Sequence, residues 1–202
     1  TLYIGTDENR YDSKKYNKKE LKEKYDLPED KKIITFIARL SEEKRPEMFV
    51  EICKRLLQKR NDIYILIAGD GPLMNKVASI GNQNFKLLGM VNETEEIYAV
   101  SDVTVNCSTL EGLALTSYES LSMGVPVVST DVGGQTELID DTVGGIVHCN
   151  INANSEVYSK EIDCYVKEID RVLNNLKDIK KNCRQKIEKG FTLDLMVNKF
   201  EN

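Results

Sequence analysis

Residues Glu111 to Gly134 read EGLALTSYESLSMGVPVVSTDVGG. The order is a Gly-containing loop, a helix opening at Leu115 or Thr116, a turn at Gly124-Val125-Pro126, a short apolar strand from Val127 to Thr130, and a second turn at Gly133-Gly134. Glu111 stands in the loop and Glu119 in the first turn of the helix, so the two carboxylates flank the helix N-terminus. Unpaired N–H groups and a macrodipole of roughly half a positive charge make that end a seat for phosphate. Carboxylates beside such a seat suit a ligand that carries both phosphate and hydroxyl groups. A plainer reading stays open: Thr116-x-x-Glu119 fits a capping box that needs no ligand, and Glu111 fits a solvated loop acid.

Outward from this stretch the same rhythm recurs. Ile33 to Ala38 is a compact β-branched run, followed by Arg39 to Arg45 and then by Pro46 at a first helical position. The helix from Pro46 to about Lys59 carries Phe49, Ile52, Cys53, Leu56 and Leu57 on one stripe. Ile63 to Ala68 is a second strand, ending in Gly69-Asp70-Gly71-Pro72, with a helix near Leu73 to Ile80 after it. Phe85 to Leu88 is a third strand, ending at Gly89. Asn92-x-x-Glu95 reads as the cap of a short helix to Val100, and Val103 to Asn106 as a fourth strand. Downstream come a helical turn at Glu137 to Ile139, a sixth short strand at Gly145 to Val147, and a mostly helical segment from Ser155 with a break at Gly190. Residues 1–31, which open on the apolar triplet Leu2-Tyr3-Ile4, read as a linking arm with a short surface helix; 32–150 read as the domain proper, and 151–202 as helices packing on it.

Strands that are continuous apolar runs, interleaved with amphipathic helices, belong in a parallel sheet covered on both faces. The fold class is therefore α/β: a doubly wound, Rossmann-like parallel sheet of about six strands. Ligands of such sheets bind at the carboxyl ends of the strands. The loops leaving those ends hold Arg39 and Lys44, Gly69-Asp70-Gly71, Gly89-Met90-Val91, Ser108 and Glu111, and Asp131 to Gly134. Glycines let a ligand approach the backbone, two cations suit a diphosphate, and two acids suit sugar hydroxyls.

Composition narrows the field. With 28 Lys and Arg against 33 Asp and Glu, the net charge of −5 argues against a nucleic-acid surface. The longest fully apolar run, Ile63 to Ala68, is far short of a membrane span, and no signal peptide is read in the polar opening segment. The five cysteines form no C-x-x-C pair and read as reduced thiols of a cytoplasmic protein.

Six motifs in this order carry a resemblance: Ala38-Arg39-Leu40 with Glu43-Lys44, Gly69 to Pro72, Leu88-Gly89, Glu111-Gly112-Leu113 through Glu119, Gly124 to Val128, and Asp131 to Gly134 with Glu137. From about Ile33 to Val147 the chain resembles the C-terminal, nucleotide-sugar-binding half of retaining GT-B glycosyltransferases of group 1, or family 4. Family members often have Gly at Ala38 and Gly- or Pro-hydrophobic at Ala114-Leu115. These departures are subfamily variation.

The resemblance implies roles position by position. Arg39 and Lys44 would contact the donor diphosphate, Glu111 the donor sugar's hydroxyls, and Glu119 the ribose. Backbone amides near Leu115 and Thr116 would bind the distal phosphate. Met90 and Val91 would meet the base, and Gly69 and Gly71 would shape the cleft wall. The implied reaction is transfer of a hexose from a UDP- or GDP-sugar with retention, needing no cofactor and, with no Asp-x-Asp in the chain, no metal. The implied partner is an N-terminal acceptor domain beyond this chain, through which peripheral membrane association would come. The only histidine, His148, is given a structural role. A GT-B-like epimerase and a non-catalytic binding module are the rivals; a dehydrogenase is disfavoured because Gly-x-Gly-x-x-Gly is missing after the first strand.

Overall fold

The computed structural model describes residues 5–80, 83–112, 114–150 and 154–200, so the expectations for Leu2-Tyr3-Ile4 and for Leu113 lie outside the described residues. Among them, six strands form one all-parallel sheet: β1 (Lys32–Ile37), β2 (Ile63–Ala68), β3 (Phe85–Leu87), β4 (Val103–Asn106), β5 (Val127–Thr130) and β6 (Gly144–Val147). Their spatial order is β3-β2-β1-β4-β5-β6. The chain winds outward from β1 in one direction, returns, and winds outward from β4 in the other. β1 and β4 are joined by the pairs Ile34–Val103 and Thr35–Thr104, and the winding reverses between them. The carboxyl ends of those two strands part around a crevice there, as they do at any such switch point.

Burial explains why the strands read as unbroken apolar runs. Every residue of β4 and β5 is buried, as are Ile33 to Phe36 in β1. On one face α2 (Pro46–Leu57) lays Phe49 against Phe36, ring centroids 5.1 Å apart, and α7 (Ser155–Asn174) adds Ile162, Tyr165, Val166, Ile169 and Leu173. On the other face α1 (Lys18–Lys24) and α4 (Thr94–Val100) bury Leu21, Ile97 and Val100 against Ile33, Leu66 and Ala68. The Asp102 carboxylate ties these layers: Lys18 and Lys180 each donate to Oδ1 at 2.8 Å, and the Ile33 amide donates to Oδ2 at 2.9 Å. Burial alone would raise its pKa, but the two ammonium groups outweigh that and hold it below the usual carboxylate range.

The remaining helices among the described residues are α3 (Met74–Ile80) after β2, α5 (Leu115–Ser122) after β4, α6 (Gln135–Leu138) after β5, and α8 (Leu176–Gly190) and α9 (Leu193–Phe200) after α7. Two capping boxes read from the sequence do not form. α5 starts from Ala114 with no side-chain cap, so Thr116 lies inside the helix, and Glu119 is its fifth residue rather than part of the first turn. α4 starts from Glu93, again uncapped by a side chain, and Glu95 pairs with Arg10 at 3.1 Å. In both helices the glutamate has found a tertiary partner, which local capping cannot compete with. Side-chain caps occur instead at Asn17 of α1 and Asn154 of α7.

Candidate functional site

The loops at the carboxyl edge are laced to one another through their backbones. The Leu40 amide donates to Asp70 O at 2.9 Å, Gly69 to Gly89 O at 2.7 Å, Thr109 to Glu43 O at 2.8 Å, and Gly134 to Gly112 O at 3.1 Å. Two glycines are required by this lacing. Gly69 has φ of 136°, and a Cβ there would stand 1.9 Å from Ala38 O; Gly133 has φ of 59°, and its Cβ would stand 2.3 Å from Glu111 O.

Two recesses share Ile37, Ala38, Arg39 and Thr116 and so make one continuous cleft. The deeper part, about 270 Å³, reaches from Arg39 and Lys44 across Ser108 and Glu111 to Ala114, Leu115 and Thr116 at the start of α5. The wider part, about 670 Å³, is walled by Gly69, Asp70 and Gly71 on one side and by Met90, Val91, Thr94 and Thr116 on the other. Arg39, Lys44, Gly69, Gly71, Met90, Val91, Glu111, Leu115 and Thr116 all line this cleft, whereas Glu119, Gly89 and the loop from Asp131 to Gly134 do not. Met90 and Leu115 stand largely exposed on its rim.

In the deeper part the charges are already engaged. Lys44 ends a 3-10 turn (Glu42–Lys44) and its Nζ lies 2.5 Å from Glu111 Oε1. The Ser108 hydroxyl donates to the same oxygen at 2.7 Å, so Glu111 is a fixed group and not the solvated loop acid of the plainer reading. Arg39 has no ion-pair partner among the described residues and faces both parts of the cleft. At the start of α5 the amides of Leu115 and Thr116 find no acceptor among the described residues; the Ser117 amide donates to Ala114 O at 2.8 Å, and its hydroxyl to Gln135 Oε1 at 2.9 Å. Nearby Asn106 Nδ2 is buried with no partner among the described residues.

Glu119 sits beside the cleft, one helical turn beyond Thr116. Its Oε2 accepts from the Tyr98 hydroxyl at 2.9 Å. Burial first, and the Glu119 carboxylate next, push that phenol well above its ordinary range, so Tyr98 acts as a donor.

Sequence reasoning missed Arg45 and Glu161. Arg45 occupies the left-handed region (φ 50°, ψ 51°) between the Lys44 turn and α2; its Nε donates to Cys107 O, and a terminal nitrogen lies 2.7 Å from the fully buried Glu161 carboxylate. Glu161 also accepts from the Asn150 amide at 3.3 Å. The available signal was an acid at a stripe position of α7, four and eight residues before Tyr165 and Ile169. His148 is exposed, its Nδ1 2.5 Å from Asp131 Oδ2, and it joins the end of β6 to the loop after β5. All five cysteines are free; Cys53, Cys107 and Cys183 are buried, and burial pushes the Cys107 thiol up to about 12.

Comparison with known proteins agrees with this arrangement. The family described as "Glycosyl transferases group 1" matches residues 17–189. The chain is 31% identical over 197 residues to the UDP-Gal:alpha-D-GlcNAc-diphosphoundecaprenol alpha-1,3-galactosyltransferase of Escherichia coli, which covers 92% of this chain and 49% of that protein. It is 26% identical over 206 residues to the N-acetyl-alpha-D-glucosaminyl L-malate synthase of Bacillus anthracis, covering 100% of this chain and 52% of that protein. A glycosyltransferase structure from Rickettsia africae ESF-5 superposes with a TM-score of 0.80 at 25% identity, over 99% of this chain and 55% of that one. Anabaena Alr3699/HepE, solved in complex with UDP, shares the fold with a TM-score of 0.78 at 19% identity, over 99% and 55%. The chain thus spans about half the length of the curated relatives it matches. With the family model covering most of its length, the chain belongs to the glycosyl transferases group 1 family.

Proposed function

We propose that this chain is the donor-binding half of a retaining, metal-independent hexosyltransferase whose acceptor site lies on an N-terminal domain beyond it. The observation that carries the reading is the meeting of Arg39, Lys44 and Glu111 with the start of α5 in one recess at the β1/β4 switch point. Cations and helix amides there suit a diphosphate, and a carboxylate a few ångströms on suits sugar hydroxyls. The donor we favour is a UDP-hexose, because a relative at 31% identity bears UDP-Gal in its name; GDP-sugars are the other donors that the sequence admits.

In this reading Arg39 and Lys44 neutralise charge on the departing diphosphate, a task that preorganised cations perform in place of a metal. The amides of Leu115 and Thr116 hold the distal phosphate, and Glu111 orients the hexose. Glu119 takes the ribose, and Met90, Val91, Gly69 and Gly71 bound the slot for the base. Glu111 is a positioning group here, since front-face transfer asks for no enzyme nucleophile. The acceptor is a glycan or related molecule, and the reaction is placed at the cytoplasmic side, with any membrane contact made through the other half.

The test is a thermal-shift titration with UDP, GDP, ADP and their glucose, N-acetylglucosamine and mannose conjugates. A base-selective rise in Tm, abolished in Arg39→Ala with Lys44→Ala, supports the reading. A rise that survives in the double variant overturns it.

A further inference from the structure

Beside the wider part of the cleft, one helical turn beyond its lining residue Thr116, stands a carboxylate whose supports come from outside the sheet. Glu119 Oε2 accepts from Tyr98 of α4, 2.9 Å away, and Tyr98 is fully buried. Against Tyr98 stands Tyr11 of the N-terminal arm, ring centroids 6.1 Å apart in an edge-on arrangement. The Tyr11 hydroxyl lies 3.1 Å from Thr94 Oγ1, on a threonine that lines the cleft. Burial first, with the Glu119 carboxylate adding to it, pushes the Tyr11 hydroxyl up to about 12. The arm is in turn fastened by Arg10 to Glu95 at 3.1 Å and by Arg184 to Tyr11 O at 2.9 Å.

A buried tyrosine needs an acceptor, but a backbone carbonyl would serve. Using a partly exposed carboxylate does something more: it removes rotamer freedom from a flexible side chain beside the cleft. An ionised carboxylate offers about four acceptor positions, so a single phenol leaves room for hydroxyl groups from a ligand. We propose that Tyr98, backed by Tyr11 of the arm, is a positioning residue that holds Glu119 to accept the vicinal ribose hydroxyls of the nucleotide. The segment before β1 is then part of the nucleotide site and not only a connector. This rests on the donor-site reading above.

Because the claim concerns ribose hydroxyls, it has a readout that loss of packing does not mimic. Calorimetric titration of the chain compares UDP with 2′,3′-dideoxy-UDP, or GDP with its dideoxy analogue if the chain selects guanine. Tyr98→Phe removes one oxygen from a buried ring. We expect it to weaken UDP about tenfold, the cost of ordering a freed glutamate side chain on binding, and to leave the dideoxy analogue within about twofold. Glu119→Gln should show the same selectivity, and Tyr98→Phe should add nothing in that background. Tyr11→Phe should move the same ratio by a smaller factor, and it serves alone if Tyr98→Phe does not fold. Equal weakening of both ligands, or no weakening of either, overturns the inference while the donor site stands. A wild-type chain that binds no nucleoside diphosphate overturns the donor-site reading and this inference with it.

Discussion

Lys44 Nζ and Glu111 Oε1 stand 2.5 Å apart across the deep end of the cleft, bridging the loop after β1 and the loop after β4. Both side chains are mostly shielded, 24% and 11% exposed, so salt screens the pair less than it screens a surface ion pair. A diphosphate entering this recess competes with Glu111 for Lys44. Lys44→Ala should therefore weaken UDP binding about tenfold or more, in line with the value of a charge-assisted hydrogen bond. Glu111→Gln releases Lys44 from its carboxylate and should leave UDP affinity equal or higher. Titration calorimetry decides this; equal losses of UDP affinity in the two variants would sink the proposed division of roles.

How much of this was legible follows from what sequence encodes locally. The strands were legible because burial on both faces leaves no polar alternation, and Ile63 to Ala68 and Val127 to Thr130 fall where their apolar runs lie. The cleft loops were legible because a glycine such as Gly69 marks a backbone that no side chain could share. The capping boxes at Thr116 and Asn92 misled because a local pattern says nothing of Tyr98 or Arg10, which lie elsewhere in the chain and claim the glutamates. Arg45–Glu161 spans 116 positions, and nothing in either residue's neighbourhood names the other.

The buried pair Arg45–Glu161 gives a second prediction. Glu161 is fully shielded and Arg45 nearly so, and the pair holds the turn that carries Lys44. Removing one partner strands the other charge in low dielectric. Glu161→Leu should cost about 3–5 kcal/mol, a Tm fall of about 6–20 °C for a chain of this size. Arg45→Met combined with Glu161→Leu should recover much of that loss, since two apolar residues leave no stranded charge. Thermal unfolding of the three variants checks it; a double variant no more stable than the single one would contradict the argument.

The pair His148–Asp131 gives stability a pH signature. Asp131 is raised by burial, but the Cys149 amide and then His148 outweigh this and hold its carboxyl below the usual range. Asp131 in turn raises His148, first through the hydrogen bond and then through its charge. A raised histidine stabilises the fold fully below its unfolded pKa of about 6.5, and that contribution is lost as pH rises through the higher folded value. A depressed aspartate stabilises above its unfolded pKa of about 3.9, and that contribution is lost as pH falls through the lower folded value. Between these limits both partners are charged and the end of β6 is fastened to the loop that leads to Gly133. Glu111 packs on that loop, so the fastening bears on the cleft. His148→Gln should therefore lower Tm most at about pH 5–6 and progressively less toward about pH 8–9, as pH rises through the raised folded pKa of the imidazole. Thermal melts of both proteins across that range measure it. A difference that is constant with pH would mean that His148 contributes by packing alone.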